Sequence, residues 1–120
     1  MTTPSEFWLN FRESKLLENQ ECVALRQQFA KLVVKNPELD QAKSIAAWLI
    51  KNGKLTNYQA TVLLKGHKGP FDFGRYRVQN RISKGSLKGG FQARHKDTGH
   101  PVVLRFLKGD EFKNPVVWAQ

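Results

Sequence analysis

The chain has 120 residues, 40% of them hydrophobic and 11% aromatic, which suffices for one ordinary domain or two small ones and excludes a large multidomain enzyme. Twenty Lys+Arg against ten Asp+Glu give a formal net charge of +10, favouring anionic partners: nucleic acid, nucleotide phosphates or an acidic protein surface. The single cysteine, Cys22, excludes an internal disulfide framework and a multi-cysteine zinc site, and fits a reducing compartment.

From the N-terminus, Met1-Thr2-Thr3-Pro4-Ser5-Glu6 has no basic or apolar stretch of the export type. Thr3 is placed as an N-cap, Pro4 as the first helical residue and Glu6 as the third, so a helix is expected over about 4–16, with Phe7, Trp8 and Phe11 on one face. Cys22, Leu25, Phe29 and Leu32/Val33 recur at spacings of three and four, predicting a second helix that ends before Asn36-Pro37. A third runs through Ala42, Ile45, Ala46, Leu49 and Ile50 and stops at Asn52-Gly53 with a glycine cap. Its apolar run Ile45–Ile50 is far below the roughly 20 residues that cross a bilayer, so a cytoplasmic protein without a membrane partner is expected. The fourth helix opens at Thr56-Asn57-Tyr58-Gln59, a capping box with Leu55 and Ala60 as a hydrophobic staple, and closes at Gly66.

The second half has a different grammar. Residues 1–64 carry eight Lys+Arg and six Asp+Glu, whereas residues 65–120 carry twelve and four; eight of the nine glycines also lie from Gly66 onward. Strands joined by turns are therefore expected there. Tyr76, Val78 and Ile82 alternate with Arg75, Arg77 and Arg81, a strand with one wet face. Phe91–His95 forms a second strand, and the turn Lys96-Asp97-Thr98-Gly99 leads into a third over Val102–Leu107. The expected fold is α+β: a four-helix bundle over 1–66, a connection over 67–73, and a three-stranded antiparallel meander with a tail over 74–120. The apolar end, Pro115–Gln120, favours a piece of a longer protein over a short natural one.

Across the whole chain these residues resemble the N-terminal region of bacterial eukaryotic-like (Hanks-type) serine/threonine protein kinases. Gly53–Gly66 is similar to the end of the helical leader that one branch of that family carries, and Phe73-Gly74-Arg75-Tyr76-Arg77-Val78 to the entry into the kinase N-lobe. Ile82–Phe91 stands in the place of the glycine-rich loop, and Val102-Val103-Leu104-Arg105 in that of V-A-I-K. The resemblance implies that Gly85, Lys88, Gly89 and Arg105 would meet the phosphates of ATP, with Mg²⁺ as its companion ion. The match is degenerate. On the G-x-G-x-x-G-x-V template Ser83 replaces the first glycine, Lys88 the third, and Gly90 the valine, while Val103 and Arg105 replace the alanine and lysine of V-A-I-K. Arginine keeps the charge but not the geometry of an ammonium. After Leu107 no helix glutamate, H-R-D, D-F-G or A-P-E segment follows, so the resemblance implies a pseudokinase-like piece with a regulatory or protein-interaction role. Phosphoryl transfer by this chain alone is not expected; a longer parent could be a kinase.

Each candidate has a plainer reading beside it. Lys84, Gly85, Lys88, Gly89 and Gly90 also suit an ordinary solvated hairpin loop, and Arg105 a surface strand arginine. His67, His95 and His100 form no H-x-x-x-H pair and have no cysteine or carboxylate cluster with them, and Cys22 lies on an apolar helix stripe where buried, inert thiols are common. Arg75, Arg77, Arg81, Lys84, Lys88, Arg94 and Lys96 with Phe71, Phe73, Tyr76 and Phe91 form the competing class, a stand-alone basic module for nucleic acid or an acidic protein face. The expected partners are thus a protein or the remainder of a kinase domain, then a nucleotide, then nucleic acid.

Overall fold

Helix α1 (Pro4–Glu13) begins at a reciprocal cap in a computed structural model that describes residues 2–85, 89–105 and the backbone of 116–119. The Glu6 N–H donates to the Thr3 hydroxyl at 3.1 Å, and the Thr3 N–H donates to the Glu6 carboxylate at 3.3 Å. Donors that every helix start leaves without a partner are thus satisfied locally. The helix stops at Glu13 rather than near residue 16. Ser14 donates its hydroxyl to the Phe11 carbonyl at 2.6 Å, and Lys15 turns into the left-handed region with φ 61°.

Helix α2 (Asn19–Lys35) ends where Pro37 requires it to, and a short 3₁₀ turn, η1 (Pro37–Leu39), leads on to α3. Cys22, Leu25 and Phe29 are buried, but Leu32, expected on the same stripe, is 37% exposed. A helix of 17 residues is about 10 Å longer than its ten-residue neighbours, so its last turns have less to pack against. Helix α3 (Ala42–Lys51) closes with two hydrogen bonds, Gly53 N–H to Ile50 C=O at 3.0 Å and Lys54 N–H to Leu49 C=O at 2.9 Å. This Schellman pattern needs the positive φ of 72° that Gly53 supplies. Helix α4 (Asn57–Leu64) has the expected Thr56/Gln59 capping box, the buried staple Leu55 and Ala60, and the same closing pattern through Gly66 and His67.

The bundle is organised around α1, which contacts α2, α3 and α4. Phe7, Phe11, Ile45, Leu49 and Leu63 are fully buried, and the rings of Phe7, Trp8, Phe11, Phe29 and Trp48 form a continuous series with neighbouring centroids 5.4–6.5 Å apart. Burying each such side chain contributes about 1.5–3 kcal/mol of transfer free energy.

The chain divides into two compact units between Gly69 and Pro70. The second is an antiparallel sheet of strands β1 (Asp72–Phe73), β2 (Tyr76–Arg81), β3 (Phe91–His95), β4 (Pro101–Arg105) and β5 (Val116–Ala119), paired in chain order. The protein is therefore α+β, and among the described residues it has four α-helices and five strands where a three-stranded meander was expected. The short β1 lies in the stretch read as a connection, and β5 in the stretch read as an apolar tail. Val102, Val103 and Leu104 are all buried, so both faces of β4 are covered, and the strand is paired along both edges, with β3 and β5. β5 supplies its second edge from beyond 106–115.

Pairing assigns the faces. Val78, Ala93 and Val102 are cross-strand neighbours, and all three are buried. Arg77 lies opposite Arg94 on the other face, as Gln92 does opposite Val103. The register slips between Val78 and Asn80, so the strict alternation expected as far as Ile82 breaks before the strand ends at Arg81.

Candidate functional site

Hairpin β2–β3 builds the candidate site. At its base the Ile82 N–H donates to the Gly90 carbonyl at 2.9 Å and the Gly89 N–H donates to the Ile82 carbonyl at 3.0 Å. Two residues thus oppose one, with Gly89 at φ 92°, the arrangement of a bulge opened by a left-handed glycine. Gly85, at φ 80°, has no atom within 4 Å of where a Cβ would stand. Lys84 is exposed beside it; Lys88 lies outside the described residues.

Arg105 comes to this loop through register, not through sequence proximity. Leu104 pairs with Phe91, so Arg105, the last residue of β4, falls level with Gly90 at the loop end of the sheet. It is exposed, and its backbone pairs with Val116 of β5. Two of the four residues expected to meet phosphates, Gly89 and Arg105, therefore share one end of the sheet. Gly89 presents no open amide there, because its N–H is already given to Ile82. Of the expected donors this leaves Gly85 on the loop and Arg105 at the end of β4, a sparser set than a full phosphate loop.

Sequence reasoning missed the role of Asp72. Arg77 donates to it through Nε at 2.8 Å and Nη2 at 3.3 Å, and Lys96 Nζ stands 3.8 Å from its second oxygen. The bidentate pair offsets the like charges that Arg77 and Arg94 set opposite each other. The available signal was that Asp72 is the sole acidic residue between Asp40 and Asp97. Arg94 donates Nη1 to the Gly99 carbonyl at 3.0 Å and braces the β3–β4 turn. In the same turn His95 Nδ1 accepts from the N–H groups of Asp97 and Thr98 at 3.2 and 3.3 Å, with Tyr76 edge-on to its ring at 5.4 Å.

Among the described residues no group of three or more His, Cys, Asp and Glu is placed to hold a metal ion, and no helix is long and apolar enough to cross a membrane. Cys22 is buried, and burial pushes its thiol pKa up, with the Glu21 carboxylate adding to the rise. In the helical unit a cleft of about 570 Å³ lies between the starts of α1 and α3. Its threonines are already committed: Thr3 to the α1 cap, and Thr2, which donates its hydroxyl to the Leu64 carbonyl at 2.7 Å. Comparison with protein-family models, with curated proteins and with solved structures finds no match.

Proposed function

We propose that this chain is the N-terminal region of a serine/threonine protein kinase-like protein, pseudokinase-like and acting by binding, whose sheet receives the phosphates of a nucleotide at its β2–β3 loop end. The observation that carries the reading is the register that sets Arg105 level with Gly90, beside the loop that carries the left-handed Gly85 and Gly89. In this reading Arg105 contacts the phosphates as a bidentate donor, Gly85 lets backbone amides approach, and Lys84 and Lys88 add charge from the loop. Gly89 shapes the loop instead of donating. With Arg105 in the place of the strand lysine, the bound nucleotide would serve as a structural or regulatory ligand.

The competing basic-module reading is weakened by the use the sheet makes of its cations. Arg77 and Lys96 are held on Asp72, and Arg94 on a turn carbonyl. Calorimetry with ATP, with and without Mg²⁺, at two salt concentrations separates the two. Near-stoichiometric heat that Arg105→Ala or Lys88→Ala weakens is expected. No binding by the folded protein would end the nucleotide reading. Affinity for nucleic acid that falls steeply with salt, with no preference for nucleotides, would favour the basic module.

A further inference from the structure

Helix α2 carries a second apolar stripe on the side turned away from the core. Val23, Ala30 and Val34 recur at spacings of seven and four, all are exposed, and Val23 and Val34 are 53% and 82% accessible. The stripe spans about 16 Å along the helix. At its N-terminal end it meets a small groove between α1 and α2 of about 120 Å³, with Trp8 and Cys22 among its lining and Leu9, itself 46% exposed, beside Val23. Arg12 and Arg26 stand on the same groove, and neither makes an ion pair among the described residues. The nearby acids are otherwise engaged: Glu13 pairs with Lys68 at 2.8 Å and Glu21 with Lys54 at 2.9 Å.

We propose that this face of the helical unit docks an acidic amphipathic helix of a partner protein, its apolar side chains along Val23, Ala30 and Val34 and its carboxylates on Arg12 and Arg26. The complementarity is specific in kind. Apolar side chains spaced three and four apart on about three turns of helix match the length of the stripe, one of them can enter the groove beside Leu9, and two guanidiniums without acids of their own call for carboxylates. The site lies wholly in the helical unit and does not depend on nucleotide binding by the sheet.

The test is fluorescence anisotropy on the full chain with a labelled helical peptide of Leu, Ala and Glu, about four turns long, with leucines spaced three and four apart. Two controls carry Leu→Ala and Glu→Lys throughout. Saturable binding of the Leu/Glu peptide is expected, at least tenfold tighter than either control. Val23→Asp should weaken it at least tenfold. The double variant Arg12→Glu/Arg26→Glu should reverse the preference in favour of the lysine peptide. These side chains are exposed or on the groove rim, and an unchanged far-UV spectrum and thermal midpoint would establish that the variants fold. No saturable binding, equal binding of the Leu→Ala control, or indifference to the variants would overturn the proposal. So would binding of the chain to anionic phosphatidylserine vesicles that Val23→Asp abolishes while the peptide fails to compete, or self-association in sedimentation that Val23→Asp abolishes, either of which would give the face to a different occupant.

Discussion

Replacing Gly53 by alanine tests whether the end of α3 is set by backbone conformation alone. Gly53 sits at φ 72°, and no atom lies within 4 Å of the position an alanine Cβ would take, so a steric clash with neighbours contributes nothing. The left-handed conformation costs an L-residue about 1–2 kcal/mol. Against it stands the usual benefit of Gly→Ala, about 0.4–1 kcal/mol from a stiffer unfolded chain, which prevails only where φ is negative. The net expectation is a loss of about 1 kcal/mol, with Gly53→Asn losing roughly half as much because asparagine tolerates this region. Urea unfolding followed by the helical far-UV signal reports on the unit that contains all four helices, and the midpoint should fall with an unchanged slope. In thermal unfolding each kcal/mol corresponds to about 4–8 °C for a unit of this size. An unchanged or raised midpoint for Gly53→Ala would refute the reasoning, since it would mean that the chain does not pass through a left-handed residue there.

Thr56→Ala removes the hydroxyl that accepts from the Gln59 N–H at 3.2 Å and should cost about 1 kcal/mol in the same assay, with Thr56→Ser restoring most of it. Glu13 is held below the ordinary carboxylate range, first by its hydrogen bond to Lys68 and then by that ammonium's charge. Because its folded pKa lies below the unfolded one, its small, salt-screened contribution is present above the unfolded value and is lost as pH falls through the folded value. An NMR titration should show the Glu13 carboxyl rising to its ordinary pKa in Lys68→Met; no movement would break the assignment. Cys22, buried and with its thiol pushed up, should react with a thiol reagent at neutral pH far more slowly in the folded protein than in denaturant. Equal rates would place it at the surface.

The helical unit was legible because its determinants are local. Thr3 and Glu6, Thr56 and Gln59, Gly53 and Gly66 each act within about six residues, and each cap stands where its pattern put it. The end of α1 was misplaced for the same reason in reverse: its left-handed residue is Lys15, and a lysine gives no such signal. Leu32 followed the right period on a helix longer than its neighbours, and periodicity carries no information about where neighbours stop. In the sheet, hairpin β3–β4 was readable from its turn, whereas β1 and β5 depend on pairing partners that local propensity does not specify.

The same distinction governs the charges. Composition places twelve basic residues in the second half as though they were equivalent, but pairing sorts them. Arg77 and Lys96 converge on Asp72, and Arg94 turns onto Gly99, so part of the excess charge holds the sheet together. Arg105 lies elsewhere: β4 delivers it to the loop end, and its level is fixed by the pairing of Leu104 with Phe91. A loop of glycines and lysines by itself describes most solvated turns. An arginine brought beside it from fifteen residues further along the chain, by hydrogen-bonded strands, is what the proposed nucleotide reading rests on. That juxtaposition depends on a register two strands long, which is why the sequence alone could not show that Gly89 spends its N–H on shaping the loop while Arg105 arrives level with Gly90.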